Sequence, residues 1–241
     1  MAKGAATSES LTRAYLARIA DLDRKGPRLN SVIALKPHAL GRSPQTDAVF
    51  EQALSALKAA GAVLVDVTPP DGKVIDDLED LVLRFEFNAR VNAYLASTAH
   101  AQVKTRTLAE LIAFNAAEPR ETELFGQEIF LEAQASPDLD DPAYLKARAD
   151  AKRLAGPEGI DKLLRDAKVE VLVAESGGPA SVVDRINGGR WLGSPSTLPA
   201  VAGYPHLTGP MGFVEGLPVG PSFIGTAWSE VRLLSLGYAF E

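Results

Sequence analysis

Cysteine is absent from all 241 residues, which removes disulfides, a thiolate nucleophile and cysteine-bound metal from consideration. Histidine is almost as scarce: His38, His100 and His206 stand singly, none has a partner at i+4, and no metal centre is expected. Positive charge is short as well, with 25 Lys and Arg against 31 Asp and Glu, a net charge of −6 and no basic stripe. Phosphate backbones are bound by clustered Lys and Arg, so nucleic acid is not an expected partner. The chain also lacks the run of roughly 18 apolar residues that a membrane helix needs, so no membrane partner is expected. Its first residues, MAKGAATSESL, carry no apolar stretch behind Lys3 and do not resemble a secretory signal. These absences lead to the expectation of a soluble, cytoplasmic chain with no cofactor.

What is present is enough apolar residue for a sizeable core, 46% hydrophobic against 23% charged, in one large domain or two small ones. Leu11, Tyr15, Ile19 and Leu22 recur at helical spacing behind Ser8 and Ser10, and Gly26-Pro27 ends that helix. Residues 32–35 read as a short buried strand stopped by Pro37. Ser43-Pro44 opens a helix through Phe50, Ala53, Leu54 and Leu57; Gly61 closes it and a strand over 62–67 follows. The next hundred residues are helical in pattern: 74–96, a segment behind a Thr107/Glu110 capping box, 121–135, and a helix from Asp141-Pro142 to Ala155. Gly156-Pro157 is expected to break that last helix before a short one reaches Ala167. Further strands are expected over 169–174, 207–211 and 219–224.

Residues 175–199 have loop composition, with five Gly, three Pro and four Ser. A loop this long in a compact domain tends to be functional or disordered. Within it, Ser176-Gly177-Gly178 reads as a turn and Asn187-Gly188-Gly189 as a bend, since neither has the spaced glycines of a dinucleotide site. Ser55 and Lys58 match S-x-x-K on one helix face, but the S-D-N and K-T-G elements that give this motif meaning are missing. The acidic groups Asp76-Asp77-Glu79-Asp80 and Asp138-Asp140-Asp141 sit at helix starts, where negative charge meets the N-terminal dipole.

Longer blocks carry more information. SESLTRAYLARIADLDRKGPRLNSVIALKPHAL over 8–40, TDAVFEQALSALKAAGAVLVDV over 46–67, residues 154–173, and above all AGYP, PMG and GLPVG in order within 199–241 resemble the amidase signature family. Its peptide-amidase-like members are the nearest in pattern. The first block is similar to the beginning of such a protein and the others to its end, so a seam falls at residues 40–44. The resemblance implies an α/β fold, an amidase-signature-like mixed sheet flanked by many helices and reduced in size, and a single domain over residues 1–241. It also implies carbon–nitrogen hydrolysis of linear amides by a Ser nucleophile, a second Ser and a Lys base on a Gly/Ser-rich segment. That segment is not found here, and a nucleophile and its oxyanion donors go with it.

No catalytic residue is therefore assigned, and a truncated, inactive pseudoenzyme is expected. A small amide or amidated peptide is the expected substrate class if activity remains. The alternative is a non-catalytic binding or interaction module with a protein partner. The family's cleft lies near the segment matching 175–199, which makes Trp191, Ser194 and Ser196 the candidate substrate-binding residues. The plainer account of them is a buried ring anchoring a loop and hydroxyls satisfying turn backbone. Gly209 and Pro221 stand where the family carries β-formers; Pro221 is expected on a sheet edge, because proline removes a ladder donor.

Overall fold

The computed structural model describes residues 32–34, 43–70, 72–97, 100–186, 188–189 and 193–241. The expected helix through Leu11–Leu22 and the seam at 40–42 lie outside them. In chain order the elements are β1 (Val32–Ala34), α1 (Pro44–Ala59), β2 (Leu64–Asp66), α2 (Lys73–Ser97), α3 (Leu108–Ala117), α4 (Pro119–Thr122), α5 (Glu128–Gln134) and α6 (Pro142–Ala155). A π turn (Gly156–Ile160), α7 (Asp161–Ala167), β3 (Leu172–Glu175), α8 (Thr197–Ala202), β4 (His206–Thr208), β5 (Gly212–Val214), β6 (Leu217–Val219), β7 (Pro221–Ile224) and α9 (Glu230–Phe240) follow. Among the described residues, no helix is long and apolar enough to cross a membrane.

The chain divides into two compact units, one of residues 1–71, 153–184 and 189–241, the other of 72–152 and 185–188. The first is built on a five-stranded mixed sheet in the order β2-β1-β3-β7-β4. β1 pairs in parallel with β2 and β3, while β7 runs antiparallel to both β3 and β4. Helix α1 forms for the reasons visible in its sequence. Ser43 caps it by accepting from the Thr46 N–H at 3.4 Å, and Pro44 occupies the first turn where no donor is lost. Gly61, at φ 95°, ends it, with bonds from Gly61 N to Lys58 O and Ala62 N to Leu57 O. Its apolar face, Phe50, Leu54 and Leu57, joins Val171, Val173 and Phe223 of the sheet side and Leu233 and Leu236 of α9 in one buried cluster.

Two segments depart from expectation. Gly156-Pro157 does not break the helix; the backbone widens through a π turn and continues into α7. Pro157 has no N–H to donate and its ring would crowd the carbonyl four residues back, and a wider turn relieves both conflicts. Buried positions follow the change: Tyr144, Ala147, Ala151 and Ala155 advance by three or four, then Ile160 and Leu164 come after a step of five. Residues 121–135 are not one helix either, since the described residues give α4 and α5 separated by Gly126.

Pro221 is also not at an edge. β7 is paired on both sides, so the expectation built on an uncovered strand is removed. The reason lies in the ladder. Ser176 N–H donates to Gly220 O at 2.8 Å and Gly225 N–H to Pro205 O at 3.2 Å, so even positions of β7 bond toward β3 and odd ones toward β4. Pro221 therefore faces β4, and one step beyond the Thr208↔Ser222 pair its opposite residue is Gly209. The β4–β7 pairing stops there because the donor is missing, and proline is tolerated as the strand's first residue. Residues Glu215 and Gly216, both with positive φ, turn the β5–β6 hairpin, which sequence patterning did not single out.

The second unit is helical. Thr107 and Glu110 form the expected capping box, and Asn92 Oδ1 accepts the Leu108 N–H at 2.7 Å. Arg84 Nε bonds Glu132 Oε2 at 2.6 Å, and Phe85 stacks on Tyr144 at 5.5 Å, whose hydroxyl donates to Glu86 at 2.7 Å. A cavity of about 390 Å³ in this unit is lined by Leu83, Phe87, Ile129 and Ala133 with Asp80, Arg84, Glu86 and Arg90. Among the described residues it contains no hydroxyl or imidazole.

Candidate functional site

Side chains alternate along a strand, so β3, β7 and β4 sort their residues by parity. One face carries Val171, Val173, Phe223 and Leu207 against the cluster with α1 and α9. The other carries Leu172, Ala174, Ser222 and Ile224, all buried, with His206 and Thr208 on the adjoining strand. Ser176, two residues past Ala174, continues this second face just beyond β3. Polar groups gather where this face runs out.

They form one chain. Ser176 Oγ lies 2.7 Å from Thr208 Oγ1 and 2.9 Å from Ser222 Oγ, and Ser222 Oγ lies 2.6 Å from His206 Nε2. Ser222 is 0% exposed, Ser176 is half-buried, and His206 and Thr208 are exposed. Burial pushes the His206 imidazole below its ordinary value, which favours the neutral ring. Assigning its proton to Nδ1 makes Nε2 an acceptor, and each hydroxyl can then donate once along the chain: Thr208 to Ser176, Ser176 to Ser222, Ser222 to His206.

The loop named in sequence runs beside this chain. A side-chain carbon placed on Gly177 would meet the Gly193 carbonyl oxygen at 3.7 Å, so loop 193–196 borders the turn after Ser176. Ser194 and Ser196 are both half-buried, and Ser194 Oγ accepts the Ser196 N–H at 3.3 Å. Ser196 precedes α8, with its carbonyl accepting from Ala200 N. Trp191 lies outside the described residues. Next along the chain, Tyr204 OH and Thr226 Oγ1 donate to the two oxygens of Asp161 at 2.8 and 2.6 Å, tying the start of α7 to the segments flanking β4 and β7.

Ser176, Thr208, Ser222 and His206 were not selected from sequence. Ser176 reads as a turn and His206 as a lone histidine when each is taken with its neighbours. The available signal was parity: in VLVAES, HLT and PSFI the polar residues fall on the same alternate positions.

A mixed sheet covered by helices, with a hydroxyl and imidazole chain at its open end, defines an α/β domain of hydrolase type in layout. The profile of the Amidase family matches residues 29–234, and the chain belongs to that family. Over 86% of its length it is 30% identical to a probable amidase of Arabidopsis thaliana, covering 38% of that protein. It superposes on the native peptide amidase of Stenotrophomonas maltophilia with a TM-score of 0.80 at 38% identity, over 98% of this chain and 48% of that one. An amidase family protein of Bacillus anthracis superposes with a TM-score of 0.67 at 28% identity, over 88% and 38%. The fold is thus that of the amidase signature enzymes, and the chain spans about half the length of these relatives or less.

Proposed function

We propose that this chain is an internally truncated amidase-signature domain that holds small amides or amidated peptides but does not hydrolyse them by its family's Ser-Ser-Lys route. The observation that supports this most is the polar chain at the sheet end: it pairs hydroxyls with an imidazole, and no lysine takes part among the described residues. Loop 193–196 beside Ser176 offers half-buried hydroxyls and backbone groups of the kind an amide needs. Trp191, Ser194 and Ser196 are the substrate-binding residues in this reading, in a single cytoplasmic domain over 1–241.

The test uses a C-terminally amidated dipeptide. Saturation-transfer NMR is expected to show binding that weakens in Trp191→Ala and Ser194→Ala, while a coupled ammonia assay stays at background. Steady ammonia release, or binding indifferent to both substitutions, would remove the proposal. A second reading, an interaction module without a small-molecule ligand, draws on the apolar residues Val182 and Trp228, 91% and 90% exposed. Sedimentation at rising concentration tests it: association lost in Trp228→Ser favours a module, and an unchanging monomer counts against it.

A further inference from the structure

We infer that Ser176 is a nucleophile activated through Ser222 by His206, and that it accepts acyl groups from activated esters rather than from amides. Ser222 cannot react directly, because it is fully buried, but it touches both the accessible Ser176 hydroxyl and the His206 ring nitrogen. A buried hydroxyl between a half-buried one and a base is a two-step proton path. Nothing in the sheet's packing calls for three hydroxyls and a ring here, since the neighbouring positions Leu172, Ala174 and Ile224 of the same face are apolar and buried.

The reaction balances with water as the only co-reactant. Ser176 Oγ attacks the ester carbonyl carbon; its proton passes to Ser222 Oγ as the Ser222 proton passes to His206 Nε2. The carbon–oxygen bond to the leaving group breaks, and the alcohol takes a proton back from the imidazolium along the same path. Water then attacks the acyl-Ser176 carbonyl, releases the carboxylic acid and restores Ser176. An aryl oxide leaves without prior protonation, whereas an amine does not, and a half-exposed chain without a dedicated acid favours the ester. Thr208, 2.7 Å from Ser176 Oγ, donates to the oxygen that attacks and later leaves.

This does not depend on amide binding at loop 193–196. A fluorescent alkyl phosphonofluoridate is incubated with the full chain and the adduct is located by peptide mass spectrometry. One adduct is expected, on Ser176, absent in Ser176→Ala. Its second-order rate constant should fall at least tenfold in His206→Gln and in Ser222→Ala, and be unchanged in Ser235→Ala, a hydroxyl on α9 that bonds only its own helix. Because Ser222 is buried and its variant could be misfolded, His206→Ala with added imidazole provides the second measurement. Recovery of the labelling rate with imidazole supports a base and not a structural prop. No adduct on Ser176, a rate indifferent to His206, or a His206→Ala rate that imidazole does not raise would overturn the inference.

Discussion

Replacing Gly220 by alanine tests the strand geometry on which the polar chain depends. A carbon placed there would lie 2.4 Å from the Gly209 carbonyl oxygen and 2.9 Å from Thr208 Oγ1. Carbon–oxygen contacts between neighbouring strands normally settle at about 3.3–3.6 Å, so the first contact is about 1 Å too short. Neither side gives easily. Gly220 O is held by Ser176 N–H at 2.8 Å, and β4 is held to β7 through the Thr208↔Ser222 pair. Relief requires the end of β4 to retreat, and overpacking of this kind costs about 3 kcal/mol, the upper end of its usual range. Equilibrium unfolding in urea, followed by tryptophan fluorescence, should show a lower midpoint at unchanged slope. Gly209→Ala is the control, because nothing lies within 4 Å of a carbon there and its φ is outside the left-handed region. It should move stability by no more than about 1 kcal/mol, toward greater stability, since alanine loses less freedom on folding than glycine. A Gly220→Ala protein within 0.5 kcal/mol of the parent, or a Gly209→Ala protein equally damaged, would refute the reasoning; the 0.5 figure is the ordinary scatter of about ±0.5 kcal/mol for harmless substitutions.

Three further outcomes are expected. Tyr204→Phe removes the donor to Asp161 and should cost about 1.5 kcal/mol in urea unfolding, the low end for hydrogen bonds to a charged group because the residue is half-buried. In the same residue, burial and then the Asp161 carboxylate push the phenol up to about 12, so its stabilising effect is whole below pH 10 and disappears as pH rises through 12; ultraviolet difference titration against Tyr204→Phe should place its ionisation last. Thr107→Ala opens the capping box of α3 and should cost about 1 kcal/mol, read as loss of helical circular dichroism at lower temperature. For His206, whose folded value is depressed, stability is full above the unfolded value of 6.5 and declines as pH falls through the folded one; urea midpoints between pH 7 and 5 should fall more steeply in the parent than in His206→Gln.

Local rules made the βαβ segment legible before any coordinates. Ser43, Pro44 and Gly61 each act through their own backbone or cap, and the structure puts all three where their chemistry requires. The capping box of Thr107 and Glu110 was readable for the same reason. Pro157 and Pro221 were misjudged because the rule for proline assumes the commonest backbone. A π turn removes the first objection, and the second applies only where the absent donor would have had a partner across the ladder. The polar chain was illegible for a different reason: Ser222 is 46 residues from Ser176 and 16 from His206, and only antiparallel register brings the three together. Ser194 and Ser196 came from the family resemblance, and they border the turn after Ser176.

The π turn at Gly156–Ile160 has a bearing on how lengths in this stretch should be compared. A fifth residue in one turn shifts the angular phase of everything after it by about 100°, since an α-helix turns once in 3.6 residues. Ile160 and Leu164 regain the buried side only because of that slip, and Asp161 thereby reaches Tyr204 and Thr226. Deleting one residue between Ala155 and Ile160 would restore an unbroken α-helix that is locally more regular, yet would swing Asp161 away from both donors and carry Ile160 toward solvent. Alignment gaps of a single position here therefore mark a rotation of the helix, and a relative lacking the extra residue should also be found to lack the Tyr204–Asp161–Thr226 tie.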